Sequence, residues 1–154
     1  MEKYKVVLLD SSFPDTKVEE EVLSEVSAEL YLCPCLDEGT VVQYVRDADA
    51  IVVQLARATE NLLEAAKRCK VVVKIGIGVD NIDIPAATKR GIYVANVPDF
   101  CFDEVSNHTL ALVLALQRKI NSLDRKVRQG AWGLGPGPGE AKPIFCLKEQ
   151  TFGL

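Results

Sequence analysis

Short apolar runs alternate with amphipathic stretches along most of this chain. Lys5 to Leu9 (Lys-Val-Val-Leu-Leu) has the length of a strand and is closed by Asp10-Ser11-Ser12-Phe13-Pro14, a polar, turn-forming segment. From Lys17 to Leu30 the apolar residues Val18, Val22, Val26 and Leu30 recur every fourth residue, the spacing of one helix face. The succession returns at Leu30 to Cys33 before Val41 to Val45, and at Ala50 to Leu55 before Leu62 to Ala66. It returns again at Val71 to Ile75 before Pro85 to Lys89, and at Ile92 to Val97 before the long segment Asp103 to Arg128. Five β-α units result.

Strands that are apolar throughout, each followed by a helix, need crossovers that cover both faces of a parallel sheet, so the pattern predicts a doubly wound α/β domain. Local signals agree. Thr59 can cap the third helix and Lys67-Arg68 complement its C-terminal dipole, while Pro85 suits a first turn and Gly91 can close the fourth helix. Ligands of such sheets sit beyond the carboxyl ends of the strands. Gly76 to Val79 fall there, in the run Lys74-Ile75-Gly76-Ile77-Gly78-Val79-Asp80-Asn81-Ile82-Asp83. Two glycines at a strand end let backbone amides approach a bound anion of carboxylate size; the bland alternative is a tight turn that glycine permits.

Thr109 to Leu116 is apolar on every face of a helix and is expected to be buried all round. At eight residues it is too short to span a bilayer, which takes about 20. Gly133-Leu134-Gly135-Pro136-Gly137-Pro138-Gly139 can hold neither helix nor strand and reads as a linker; without a preceding strand or a following helix it does not read as a phosphate loop. Thr151 to Leu154 reads as the start of an apolar strand.

With 154 residues, 48% of them hydrophobic, the chain can bury one sizeable core. Its 18 basic and 22 acidic residues give a net charge of -4 with no basic stripe, which argues against nucleic acid as a partner. Met1 to Lys5 leads straight into the first strand without the apolar stretch of a signal peptide, so a cytoplasmic location is expected, with no membrane partner. Cys33, Cys35, Cys69, Cys101 and Cys146 are odd in number and irregularly spaced, the pattern of reduced thiols rather than of a disulfide framework. Cys33-Pro34-Cys35 lacks the spacing and further ligands of a zinc site and is read as structural.

Gly76-Ile77-Gly78-Val79-Asp80-Asn81-Ile82-Asp83, then Ala86-Ala87, Arg90-Gly91-Ile92, Val94-Ala95-Asn96-Val97-Pro98 and His108-Thr109-Leu110-Ala111-Leu112 together resemble the D-isomer-specific 2-hydroxyacid dehydrogenases. The similarity is strongest from about Cys69 to Arg128. It implies a flavodoxin-like doubly wound substrate domain with a five-stranded parallel sheet over 1–102, a long interdomain helix over 103–130, and at 131–154 a linker with the first strand of a nucleotide-binding domain. In the family that domain's Gly-x-Gly-x-x-Gly would follow Leu154, and the catalytic arginine, glutamate and histidine lie further on. The resemblance implies an NAD(H)- or NADP(H)-dependent oxidoreductase that interconverts a D-2-hydroxy acid and a 2-keto acid. The apolar stretch 109–116, left without its partner domain, is expected to make the chain dimerise through the 103–128 helix or exchange helices. A chain lacking the nicotinamide, cation and acid of hydride transfer is expected to be inactive alone and to bind no cofactor tightly.

Carried over by position, the resemblance assigns the substrate carboxylate to the amides of Ile77 and Gly78. Gln54 is placed where relatives often contact substrate, with a capping amide as the other reading. Phe100 stands where some lactate-type relatives close an aromatic over the substrate, and Val105 where an apolar residue backs the nicotinamide; either residue could also serve the core. His108, the one histidine, matches the histidine of a Glu-His pair opening the interdomain helix and is read as structural, with Asn107 in place of the usual acid. The rival class is a stand-alone, non-catalytic binding and dimerisation module of the same fold. Receiver domains and flavodoxins fit poorly, because Asp10 stands alone and the loop after the first strand is short and lacks glycine.

Overall fold

The computed structural model describes residues 3–34, 37–131 and 143–153. The elements run β1 Tyr4–Leu8, α1 Lys17–Glu25, β2 Ala28–Leu32, α2 Glu38–Val45, β3 Ala50–Val53, α3 Glu60–Ala65, β4 Val71–Lys74, α4 Ile84–Lys89, β5 Tyr93–Ala95, α5 Phe102–Gln117 and α6 Ile120–Arg128. The strands form one parallel sheet in the order β2-β1-β3-β4-β5. This is the flavodoxin-like arrangement, in which the strand order reverses between β1 and β3. The chain divides into two compact units, 1–100 and 101–154.

In the first unit Val7, Leu9, Ile51, Val53 and Val72 of the sheet pack with Val41 and Val45 of α2, Leu62 and Leu63 of α3, and Ala86 and Ala87 of α4. Successive strand residues point to opposite faces, so the half-buried Ala50, Val52, Val71 and Val73 lie on the other side of β3 and β4. Caps behave as their residue types dictate. Asp37, Thr59 and Asp83 each accept a main-chain amide from the first turn of α2, α3 and α4, and Gly91 follows α4 with φ +69°.

Three expectations from the pattern need correction. The first helix stops at Glu25 rather than Leu30, because Ser27 turns to φ +55° and a left-handed residue cannot continue the ladder. Leu30 belongs to β2, opposite Val6, and its fourfold spacing from Val26 crosses an element boundary by coincidence. The segment read as one helix from 103 to 130 is interrupted at Arg118 and Lys119, the latter at φ +54°, with neither proline nor glycine to announce the break. Finally, no residue of α5 is buried; Leu110, Leu112, Leu114 and Leu116 are exposed, so the expected burial of 109–116 is not achieved within the single chain.

The linker lies largely at 132–142, and Cys35 of the Cys-Pro-Cys pair at 35–36, outside the described residues. Leu147–Glu149 is a single 3-10 turn, and Thr151 to Gly153 form no strand, since no described strand offers them a ladder. Among the described residues no helix is long and apolar enough to cross a membrane, and no group of three or more histidine, cysteine or acidic side chains is arranged to hold a metal.

Candidate functional site

Lys74 ends β4, an inner strand of the sheet, and Ile75 still bonds across to the Val53 carbonyl at 2.8 Å. Gly76 then swings to φ +147°, a conformation that side chains resist, and its amide closes back on the Lys74 carbonyl at 3.0 Å. The next loop takes up the turn's acceptors: the Val97 amide donates to the Gly76 carbonyl at 3.0 Å and the Asn96 side-chain amide to the Ile77 carbonyl at 2.8 Å. The turn's donors stay open. Among the described residues the amides of Ile77 and Gly78 have no acceptor. At Gly78 a Cβ would stand 3.0 Å from Asp80 Oδ1, so a side chain there would crowd the turn. A turn with bonded carbonyls and free N–H groups, at the carboxyl end of a parallel strand, suits a small anion.

The floor of this turn is polar and buried. Lys74, 8% exposed, donates its ammonium to the Gln54 carbonyl and, at 3.0 Å, to Asn81 Oδ1. No described carboxylate lies within ion-pair distance of it. Asn81 Nδ2 donates to the carbonyls of Ala56 (2.6 Å) and Gln54 (3.4 Å), while the Ala58 amide donates to the Asn81 carbonyl at 2.9 Å. The β3–α3 loop and the 76–83 loop are thereby fastened together, with Ala58 and Ile82 in a parallel bridge.

A second cluster closes the crevice between β1 and β3. The Asp10 carboxylate accepts three consecutive main-chain amides, from Gln54 (2.8 Å), Leu55 (2.6 Å) and Ala56 (2.9 Å). The Gln54 side chain is committed to Ser12, accepting from its amide at 2.5 Å and donating to its hydroxyl at 2.7 Å.

Ile77 and Gly78 therefore occupy the turn itself, and Gln54 joins the same network through its main chain. Its side chain bonds Ser12 rather than pointing at the turn. Phe100 is an exposed aromatic that ends the first unit. Val105 and His108 are exposed on α5 of the second unit. Pattern reading missed Asp10, Lys74, Asn81 and Asn96. Two signals were available: a lysine ending an otherwise apolar run of strand residues, and asparagines flanking a glycine turn. A cavity of about 520 Å³ opens between α2 and α3, lined by Leu9, Val41, Leu55, Arg57 and Leu62 among others, and neither Ile77 nor Gly78 reaches it. The glycine turn is thus an exposed ledge outside that cavity.

The fold is a doubly wound α/β domain with a glycine turn at the carboxyl end of β4. Residues 6–148 match the family described as D-isomer specific 2-hydroxyacid dehydrogenase, catalytic domain, and the chain belongs to that family. Its members are oxidoreductases. A glyoxylate reductase from Thermococcus litoralis is 41% identical over 95 residues, which cover 61% of this chain and 29% of the relative. Among solved structures, the PH0520 protein from Pyrococcus horikoshii OT3 superimposes with a TM-score of 0.75 at 29% identity, covering 94% of this chain and 43% of that one. The NADPH-dependent glyoxylate/hydroxypyruvate reductase of Sinorhizobium meliloti, in complex with NADP and malonate, gives a TM-score of 0.68 at 26% identity over 90% of this chain and 44% of that one. The chain spans less than half the length of each of these proteins.

Proposed function

We propose that this chain supplies the substrate-carboxylate turn of an NAD(P)-dependent D-2-hydroxyacid dehydrogenase, in which the amides of Ile77 and Gly78 hold the carboxylate of a small 2-hydroxy or 2-keto acid. In the assembled enzyme a bound nicotinamide would take up the C2 hydride of the hydroxy acid while its hydroxyl proton passes to a base on the partner domain, and the reverse would reduce the keto acid. The observation that carries this reading is the pair of open amides in a turn whose carbonyls are bonded elsewhere. Family membership supplies the reaction class. The buried Lys74 ammonium beneath the turn adds positive potential where the carboxylate is held. Phe100 and Val105 take the roles of substrate-covering aromatic and nicotinamide-backing residue.

The residues of this chain do not by themselves fit the nucleotide. No Gly-x-Gly-x-x-Gly run occurs in the 154 residues, and one valine is not a dinucleotide site. Its part in the reaction is to fix the acid's carboxylate, and the 154 residues alone are expected to leave NADH unconsumed with pyruvate, glyoxylate or hydroxypyruvate. A nucleotide-binding domain is its functional partner, in a cytoplasmic homodimer. Titration of the ¹⁵N-labelled chain with pyruvate tests the reading: the amide signals of Ile77 and Gly78 should shift saturably, and their indifference would sink it.

A second reading, a non-catalytic binding and dimerisation module, is favoured by one observation: α5 leaves leucines on two faces in water, Leu110 and Leu114 on one and Leu112 and Leu116 on the other. Pyruvate-insensitive amides combined with a stable dimer would move it to first place.

A further inference from the structure

Parallel sheets of this topology offer their ligand crevice where the strand order reverses, here between β1 and β3. In this chain that crevice holds a ready anion site, three successive amides of Gln54, Leu55 and Ala56, and the chain fills it with its own Asp10 carboxylate. We infer that Asp10 is a positioning residue: as the built-in anion of this amide nest it sets the β3–α3 loop and, through it, the Ile77–Gly78 turn. The inference rests on the reading of that turn as the carboxylate site.

The relay can be followed atom by atom. Asp10 takes the N–H groups of residues 54 to 56, which leaves their carbonyls to face the other way. The Gln54 carbonyl receives the Lys74 ammonium, and the Gln54 and Ala56 carbonyls receive Asn81 Nδ2. Asn81 and Lys74 stand on either side of Gly76 to Asp80, so the loop's two ends are anchored to a peptide segment that Asp10 holds. Ser12 adds a second tie from the β1–α1 loop to the Gln54 side chain. The amides of Gln54, Leu55 and Ala56 are thereby taken, while among the described residues those of Ile77 and Gly78 keep no acceptor. The internal carboxylate therefore does two things. It closes the topological switch point to small anions and directs them one strand over, to the end of β4.

Asp10→Asn separates this role from simple electrostatics. Asparagine keeps one acceptor oxygen but aims an NH₂ at amides that need an acceptor, so the nest loses its hold. Removing a negative charge near an anion site strengthens anion binding on Coulombic grounds alone. A positioning role predicts the opposite sign. In pyruvate titrations of the full 154-residue chain, read at the Ile77 and Gly78 amides, Asp10→Asn is expected to weaken binding about fivefold, a size usual for residues coupled through a packed network. Affinity equal to or tighter than that of the unaltered chain overturns the inference. Asn81→Ala breaks the relay at its other end without touching the nest and is expected to weaken binding comparably; if Asp10→Asn does not fold, unchanged affinity in Asn81→Ala overturns the inference instead. Where both variants fold, the double variant should lose less than the sum of the two single losses, because both residues act on the same peptide segment; additive losses overturn the relay. An unaltered chain whose Ile77 and Gly78 signals ignore pyruvate overturns the carboxylate reading and this inference together, whereas a responsive unaltered chain whose variants bind pyruvate as tightly as it does overturns this inference only.

Discussion

The side-chain amide of Asn96 donates to the carbonyl of Ile77 at 2.8 Å, across the gap between the loops that follow β5 and β4. Together with the Val97 amide on the Gly76 carbonyl, it leaves the glycine turn with free donors and bonded acceptors. Asn96→Asp should therefore reverse the polarity of the turn, setting a carboxylate against a carbonyl and beside the incoming acid. Pyruvate affinity is expected to fall about tenfold, the effect of one added like charge at partial screening. Titration by amide chemical shift checks it; undiminished affinity would detach Asn96 from the site.

Gly76 and Gly91 both have positive φ but differ in consequence. Gly76→Ala must strain φ +147° and bring a methyl within 3.4 Å of Lys74 Cε, whereas Gly91→Ala meets nothing within 4 Å at φ +69°. The first is expected to cost about 2–3 kcal/mol and the second about 1 kcal/mol. Urea unfolding measures both, and only Gly76→Ala should also lower pyruvate affinity.

Asp49 is the buried acid at the opposite end of the sheet. Its carboxylate accepts the Lys5 amide at 2.9 Å and the Arg68 guanidinium at 3.0 Å or a little more, tying β1 to the segment before β4. Asp49→Ala leaves the Lys5 N–H without its side-chain acceptor and is expected to cost about 3 kcal/mol. Because this cluster lies at the amino ends of the strands, the Ile77 and Gly78 amide shifts should be unmoved in the folded variant.

Burial pushes the Cys69 thiol above its ordinary range and outweighs the lowering by main-chain hydrogen bonds at Val71 and Ile51. The folded state therefore binds this proton more tightly than the unfolded one. Its contribution to stability is complete below the ordinary thiol value of 9.0 and is lost as pH rises through it towards the higher folded value. Urea midpoints from pH 8 to 10.5 should fall less steeply in Cys69→Ala, after allowance for the cavity that alanine leaves. Iodoacetamide should label Cys69 only on unfolding.

Leu112 and Leu116 are 52% and 76% exposed on α5, in a helix with no buried residue. An apolar row of this length is expected to drive self-association at protein concentrations of tens of micromolar, roughly what an unpartnered helix face sustains. Light scattering should report dimers for the unaltered chain and monomers for Leu112→Glu combined with Leu116→Glu. A monomeric unaltered chain would remove the homodimer from the proposed function.

Much of this protein is legible from residue types taken a few at a time. Strand and helix alternation follows from the spacing of apolar residues, and the parallel sheet follows from strands apolar throughout. Helix ends follow from Thr59, Pro85 and Gly91, and the turn chemistry from two glycines after β4, while the caps Asp37 and Asp83 went unread. Each is a local consequence of side-chain shape or hydrogen-bonding capacity, so sequence neighbours suffice to show it. The end of α1 at Glu25 and the break at Lys119 were not legible, because the left-handed residues there are serine and lysine, which carry no local mark of that conformation.

The polar network under the turn belongs to the tertiary structure alone. Asp10 and Gln54 are 44 residues apart, and Lys74 and the Gln54 carbonyl 20 apart; only the strand order β1-β3-β4 brings their ends side by side. Gln54 itself shows the limit of reading residue by residue: its polar side chain at a strand end suggests a ligand contact, but it bonds Ser12, while its main chain carries the Asp10 and Lys74 contacts. The sequence by itself determined which segments become strands, where the glycine turn falls and what chemistry its amides can offer, since these depend on local geometry. Only the tertiary structure decided which carbonyls that turn would have to satisfy elsewhere and which donors would stay free, because hydrogen bonds saturate and partners are assigned by what the fold places within reach.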